Sequence, residues 1–228
     1  MAGETIRTVC AGRTDAGVHA LRQVVHFDSA ARRPLSAWVR GTNAHLPAAL
    51  AVRSATAVAD SFHARYGAAR RRYRYLLYRS AVRHPLLAQR AGWSFREIDV
   101  ARMRAAAAAL VGEHDFSAFC SAQCQAASPV RRLEELSLCE RGPFVVFTFV
   151  ANAFLHHMIR NIVGSLLAVG EGRRDPPWLA ELLAGRDRTL AAATFAPDGL
   201  YLDGAQYDEH YGVPSWSAGD DALLEALR

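Results

Sequence analysis

An α+β fold in α/β layers is what this sequence predicts, on three observations. Strand-like and helix-like patterns alternate along the chain. Arg70 to Tyr78 changes side-chain character with a period of two, with Tyr73, Tyr75 and Leu77 facing in and Arg72 and Arg74 facing out. Val100 to Val111 is alanine-rich and stops at Gly112, as a helix does. With 228 residues, 51% of them hydrophobic, the chain can bury a sizeable core.

Taken in order, the apolar, β-branched run from Thr5 predicts a strand over 5–12, which opens into a glycine-permitted loop over 13–19. A second strand is expected over 22–29, a helix near 35–44, a strand over 50–60 and a basic strand over 69–79. Pro85 and Gly92 mark a looser connection, so the chain divides into a first half, 1–96, that carries the loop, and a second half, 97–228. In the second half the alanine-rich helix is followed by strands over 131–140 and 143–151, joined by the turn Glu140-Arg141-Gly142-Pro143. Phe154 to Val169 reads as a long helix. Asp175-Pro176-Pro177 offers an N-cap and an early-helix proline for 177–184, and Leu200 to Tyr207 reads as a closing strand.

Composition narrows the class of protein. The longest apolar stretches, such as Ile162 to Val169, fall far short of the run of about twenty needed to cross a bilayer, and no secretory signal is read, so a cytoplasmic protein with no membrane partner is expected. Cys10, Cys120, Cys124 and Cys139 are then expected as reduced thiols, and the Cys120/Cys124 pair lacks the second pair that a zinc site wants. Every basic residue is arginine, which fits a coding bias and makes the arginine count alone weak evidence. Distribution says more. Between Ser61 and Arg96 there are nine arginines and no Asp or Glu, interleaved with Tyr66, Tyr73, Tyr75 and Tyr78, the pattern of a polyanion surface with stacking platforms. A solvated strand face is the plainer reading of part of that block, and both can hold at once.

The decade Ala11-Gly12-Arg13-Thr14-Asp15-Ala16-Gly17-Val18-His19-Ala20 holds one carboxylate between glycines beside a guanidinium. Alone it would be an Asp stabilising a turn. It has company in Phe62-His63-Ala64-Arg65-Tyr66, Arg71-Arg72-Tyr73-Arg74-Tyr75, Gln123-Cys124-Gln125, Asn152 to Gly164 and Gly199-Leu200-Tyr201-Leu202. In order and spacing, from about Thr8 to Tyr211, the set resembles the bacterial tRNA pseudouridine synthase A family, which isomerises uridines of the tRNA anticodon stem-loop (positions 38, 39 and 40) to pseudouridine. Members of that family carry a further strand and helix, with Tyr-Asp-Gly and Gly-Trp-Gln signatures, before the loop. The first half is therefore expected to be N-terminally truncated, with an unpaired edge or wet core surface.

The resemblance implies two related halves whose mixed, mainly antiparallel sheets join across a central catalytic cleft, a homodimer, and tRNA as the partner. The isomerisation breaks the N1–C1′ bond and rejoins the uracil through C5, so it requires no cofactor and no metal; one nucleophile can suffice. Asp15 takes that role by resemblance, attacking the sugar carbon or the uracil ring, or drawing off a ribose proton. Arg160 corresponds to the guanidinium that counters its charge, and a buried Arg needs a carboxylate. Tyr73 corresponds to the tyrosine that stacks on the extracted uracil, Leu202 to the aliphatic residue lining its pocket, and Arg13 to the arginine that enters the space the base leaves. Phe62, His63, Ala64, Arg65 and Tyr66, together with Gln123, Cys124, Gln125, Ala126 and Ala127, match stretches that touch tRNA. His156 and His157 would point about 100 degrees apart on a helix, so they read as packing or tRNA-facing residues and not as a pair serving one ion. The alternative function is a noncatalytic RNA-binding remnant, which would bind tRNA without isomerising it.

Overall fold

Strand pairing organises residues 2–216, the part described by this computed structural model, into one mixed sheet and one small ladder. The ladder joins β1 (Val9–Cys10) to β3 (Val25–His26) antiparallel. The seven-stranded sheet runs β2 (His19–Ala20), β9 (Leu200–Gln206), β4 (Arg70–Arg79), β8 (Phe144–Ala151), β7 (Val130–Arg141), β6 (Gly112–Asp115), with β5 (Gly92–Ser94) on the far end of β4. Its pairings are antiparallel except β2 with β9 and β4 with β5. The α+β expectation holds.

Among the described residues four α-helices accompany these strands: α1 (Leu35–Asn43), α2 (Val100–Ala107), α3 (Met158–Gly170) and α4 (Trp178–Gly185). The main core lies between one face of the sheet and α2, α3 and α4. Tyr73, Tyr75, Leu77, Phe147, Phe149, Leu200 and Leu202 come from the strands, and Met103, Ile162, Leu166 and Leu179 from the helices. Every residue of α3 except Arg160 is buried, which is why its sequence is apolar almost all round. α2 starts at Asp99, whose carboxylate accepts the Arg102 N–H at 3.0 Å. The β7–β8 hairpin closes at Arg141 opposite Phe144, and Gly142 supplies the left-handed residue of the turn (φ 56°).

Several sequence expectations are corrected. The strands expected over 5–12 and 22–29 shrink to the two-residue β1 and β3, because their ladder extends no further. Val25, Phe27, Leu35, Leu50 and Val58 around them are exposed. No strand forms over 50–60 among the described residues. Val52 instead takes both its backbone bonds from the Asn43 side chain, at 2.7 and 2.8 Å, so a side chain satisfies what a partner strand would.

The row Arg72 and Arg74 does lie on the face opposite Tyr73, but it is buried and not solvated. The β4–β9 register shifts between Arg72 and Tyr73, leaving Asp203 as the extra residue of a bulge. Its fully buried carboxylate reaches Arg72 Nε at 2.7 Å and Arg74 Nε at 3.0 Å. Asp175 does not cap α4: Pro177 is the cap residue, and the Asp175 carboxylate pairs with Arg102 at 2.9 Å. α3 begins four residues later than expected, because His157 stands in the left-handed region (φ 62°, ψ 5°) and the chain before it is not helical. Among the described residues no helix is long and apolar enough to cross a membrane.

Candidate active site

The loop between β1 and β2 is a glycine turn fixed at both ends. Val18 N–H donates to the Asp15 carbonyl at 3.0 Å, and Gly17 sits at φ +81°, the third-position conformation of a type II turn. A side chain at Gly17 would also press on Pro197, whose Cγ lies 2.9 Å from an ideal Cβ position. At the loop's exit, His19 and Ala20 pair with Tyr201 and Leu202 of β9. At its entrance, the Arg71 guanidinium donates to the Ala11 carbonyl (3.2 and 3.3 Å) and to those of Asn152 (2.7 Å), Ala68 (3.3 Å) and Arg65, while Gln23 Nε2 donates to the Gly12 carbonyl at 2.7 Å. Burial lowers the Arg71 pKa, but its work here is to tie four chain segments together.

Four of the anticipated residues converge. Arg160 Nη1 donates to Asp15 Oδ2 at 3.3 Å. Its Nε donates to the Phe195 carbonyl at 2.8 Å, and Phe195 N–H returns a bond to the Arg160 carbonyl at 3.2 Å. That strap can lie on α3 only because residue 164 is glycine: an added Cβ would come within 2.3 Å of the Ala193 carbonyl oxygen. Tyr73, opposite Leu202 across the β4–β9 ladder, has its hydroxyl 3.5 Å from where a Gly12 Cβ would be, and its ring meets Phe154 edge-on at 5.1 Å. Leu202 is fully buried. Arg13 is exposed on the loop.

The histidines that read as packing or tRNA-facing residues also come to the carboxylate, which corrects that reading. His157 Nε2 lies 3.2 Å from Asp15 Oδ2, and His156 Nε2 lies 3.5 Å from Oδ1. On a helix the two rings would point apart, whereas the left-handed backbone at His157 turns its ring back over its neighbour, and the two stack at 3.9 Å. Spacing held a usable signal: position 157 precedes Arg160 by one helical turn, the separation at which side chains share a face.

Burial sets the charge states around this group. It pushes the Tyr73 hydroxyl up to about 12, with the Arg71 charge opposing and the Asp15 charge assisting, so Tyr73 is a protonated donor at neutral pH. Burial also lowers the His157 pKa; Asp15 opposes that shift, and the His156, Arg160 and Arg188 charges add to it. His157 is therefore a neutral imidazole at neutral pH. Asp15, His156 and His157 bring ligand atoms within 4.8 Å of one another, the spacing of a metal site. An ion would have to lie in the plane of each ring, and two rings stacked 29° apart offer no such point close to both nitrogens.

The segments expected to touch tRNA divide by burial. Phe62 and Ala64 are buried in a small cluster with Ala11, Ala205 and Tyr207, His63 is half-buried, and Arg65 and Tyr66 are exposed. Gln123, Gln125, Ala126 and Ala127 are exposed and Cys124 is half-buried. Burial works against a Cys124 thiolate, yet hydrogen bonds from Cys120 and from the backbone of Ala126 and His156 lower its pKa; burial pushes Cys120 up to about 12. All four cysteines are free thiols.

A carboxylate on a glycine turn, a guanidinium against it, and a tyrosine and a leucine behind it thus stand together in one place. A family model described as tRNA pseudouridine synthase matches residues 1–67 and 106–208. Three curated relatives, each named tRNA pseudouridine synthase A, come from Janthinobacterium sp. (strain Marseille), Herminiimonas arsenicoxydans and Bordetella petrii. They are 58%, 56% and 58% identical over 92%, 92% and 91% of this chain, which spans 80%, 78% and 77% of their own lengths. The chain belongs to the tRNA pseudouridine synthase family.

Proposed function

We propose that this protein isomerises uridine to pseudouridine in the anticodon stem-loop of tRNA, with Asp15 as the reacting carboxylate and without a cofactor. The observation that carries the reading is the Asp15–Arg160 contact at 3.3 Å, made between residues far apart in the chain at the point where a glycine turn meets the start of a buried helix. A guanidinium there balances the carboxylate's charge in a cleft that must exclude water. Tyr73 offers a ring to the uracil and Leu202 an apolar wall. Arg13, exposed two residues before Asp15, is free to enter the stack when a base leaves it, an extraction that costs a few kcal/mol. Asp15 attacks the sugar carbon or the ring, or removes a ribose proton, and each route ends with C5 bonded to C1′.

Substrate binding is read from what remains of the basic block once Arg71, Arg72 and Arg74 are committed inside the protein. Arg65, Arg83 and Arg90 are exposed, with Tyr66 beside Arg65 as a stacking surface. A homodimer is part of the proposal: Val82, Leu86, Trp93 and Phe95 expose apolar surface of the kind that a second copy covers. In the test, Asp15→Asn abolishes pseudouridine formation on an anticodon stem-loop transcript while tRNA affinity stays within about tenfold, since phosphate contacts remain. Continued turnover, or a larger loss of binding, contradicts the assignment.

A further inference from the structure

The isomerisation moves a hydrogen as well as a bond. Uridine enters with hydrogen on C5 and none on N1, and pseudouridine leaves with the reverse, so some group must accept a proton from C5 and N1 must receive one. Tyr73 is poorly suited to accept it, because burial holds its hydroxyl protonated to about 12. Asp15 is engaged with the substrate until C5 has attacked C1′ and is then held against the Arg160 guanidinium at 3.3 Å, and Arg160 is a permanent cation. Resting on the isomerase reading, we propose that His157 is the proton carrier of the cycle, taking the C5 proton and supplying one to N1.

Position and backbone support this assignment. His157 Nε2 stands 3.2 Å from Asp15 Oδ2, so a base held against the carboxylate is also within reach of the imidazole. The ring is neutral at neutral pH because burial and the His156, Arg160 and Arg188 charges oppose its protonation, and Asp15 is the anion that favours it. The order of events follows from that balance. While Asp15 is bonded to substrate or protonated, its charge is spent. When C5 attacks C1′ and the carboxylate is released, the anion returns beside His157 at the step where C5 must lose its proton. The C5–H electron pair then forms the C5–C6 double bond while the C6–N1 double-bond pair moves onto N1, the proton passes to the ring nitrogen of His157 that carries no hydrogen, and the imidazolium protonates N1. No electron or atom is left over, and His157 ends neutral.

The conformation of His157 fits such a use. It is one of three non-glycine residues with positive φ among the described residues, and it makes no side-chain cap bond at the start of α3. That backbone conformation costs energy for a residue other than glycine.

The test uses His157→Gly and His157→Asn, since both tolerate positive φ and neither carries a proton at neutral pH. Pseudouridine formation should fall about 100-fold in each, the usual share of a general acid–base group. Free imidazole should restore rate to His157→Gly, and deuterium at uracil C5 should slow the variants more than the parent protein. The glycine variant should melt no lower than the parent, because it relieves the backbone. Rates within about threefold of the parent overturn the proposal. So does a slow variant that neither responds to imidazole nor shows an isotope effect, since a residue that only holds the loop would behave that way. Asp15→Asn run in parallel keeps the readings apart: if it is inactive while His157→Gly is fully active, only the carrier role falls.

Discussion

Replacing Asp203 by asparagine removes the negative charge that lies between two buried guanidinium groups. Its carboxylate lies between Arg72 Nε at 2.7 Å and Arg74 Nε at 3.0 Å, with side-chain exposures of 6% and 7% for the arginines and none for the aspartate. Asparagine keeps the volume and loses the charge, so both guanidinium groups stay buried in the centre of the sheet and repel each other. Breaking a buried pair by neutralising one partner costs about 3–5 kcal/mol, a large fraction of the roughly 5–15 kcal/mol that holds a domain folded. At 2–4 °C per kcal/mol for a chain of this size, the melting midpoint should drop by roughly 6–20 °C. A thermal or urea melt of Asp203→Asn beside the parent protein measures it. The joint change Arg72→Met, Asp203→Leu, Arg74→Met should recover most of the loss, because the cost lies in uncompensated charge and not in missing contacts. A midpoint within about 2 °C of the parent for Asp203→Asn, less than 1 kcal/mol, would refute the reasoning.

Arg160→Ala should lower both stability and turnover, since it strips Asp15 of its counter-charge and the Phe195 carbonyl of its donor; unchanged pseudouridine formation would remove Arg160 from the site. Gly17→Val forces a β-branched residue to φ +81° and into Pro197, so it should cost about 1–3 kcal/mol in a melt and most of the activity, whereas a neutral outcome would mean the turn can be rebuilt. The folded protein binds a proton at His157 less readily than the unfolded chain does. Stability from this group is thus complete above the ordinary histidine value of about 6.5 and lost as pH falls below it. Melting midpoints from pH 8 to 5 should fall on the acid side, less steeply in His157→Asn; equal slopes would contradict the sign.

Legibility in the sequence tracked how much an element depends on its partners. β4, β7, β8 and β9 are seven residues or longer and carry either alternation or a marked turn, and their bounds were readable within a residue or so. β2, β5 and β6 have two to four residues, too few for any period, and they are strands only because β9, β4 and β7 lie alongside. The segment 50–60 failed in the opposite sense, looking like a strand with no neighbour to pair with. At the site, the positions of Asp15, Arg160, Tyr73 and Leu202 were anticipated from motif order, and the structure brings them together. The surroundings of Arg72, Arg74 and the two histidines are not legible in the sequence for one physical reason. A bulge at Asp203 and a left-handed residue at His157 each redirect side chains, and neither is encoded in a periodic pattern.

The parallel contact of β2 with β9 also dictates when this cleft can exist. Residues 19 and 20 find their partners only at 201 and 202, so the turn bearing Asp15 has no wall on that side until β9 has left the ribosome. Pairings that span so much sequence form late and slowly. A growing chain therefore carries the Asp15 turn unassembled across about 180 residues of synthesis, and the site closes in one step with β9.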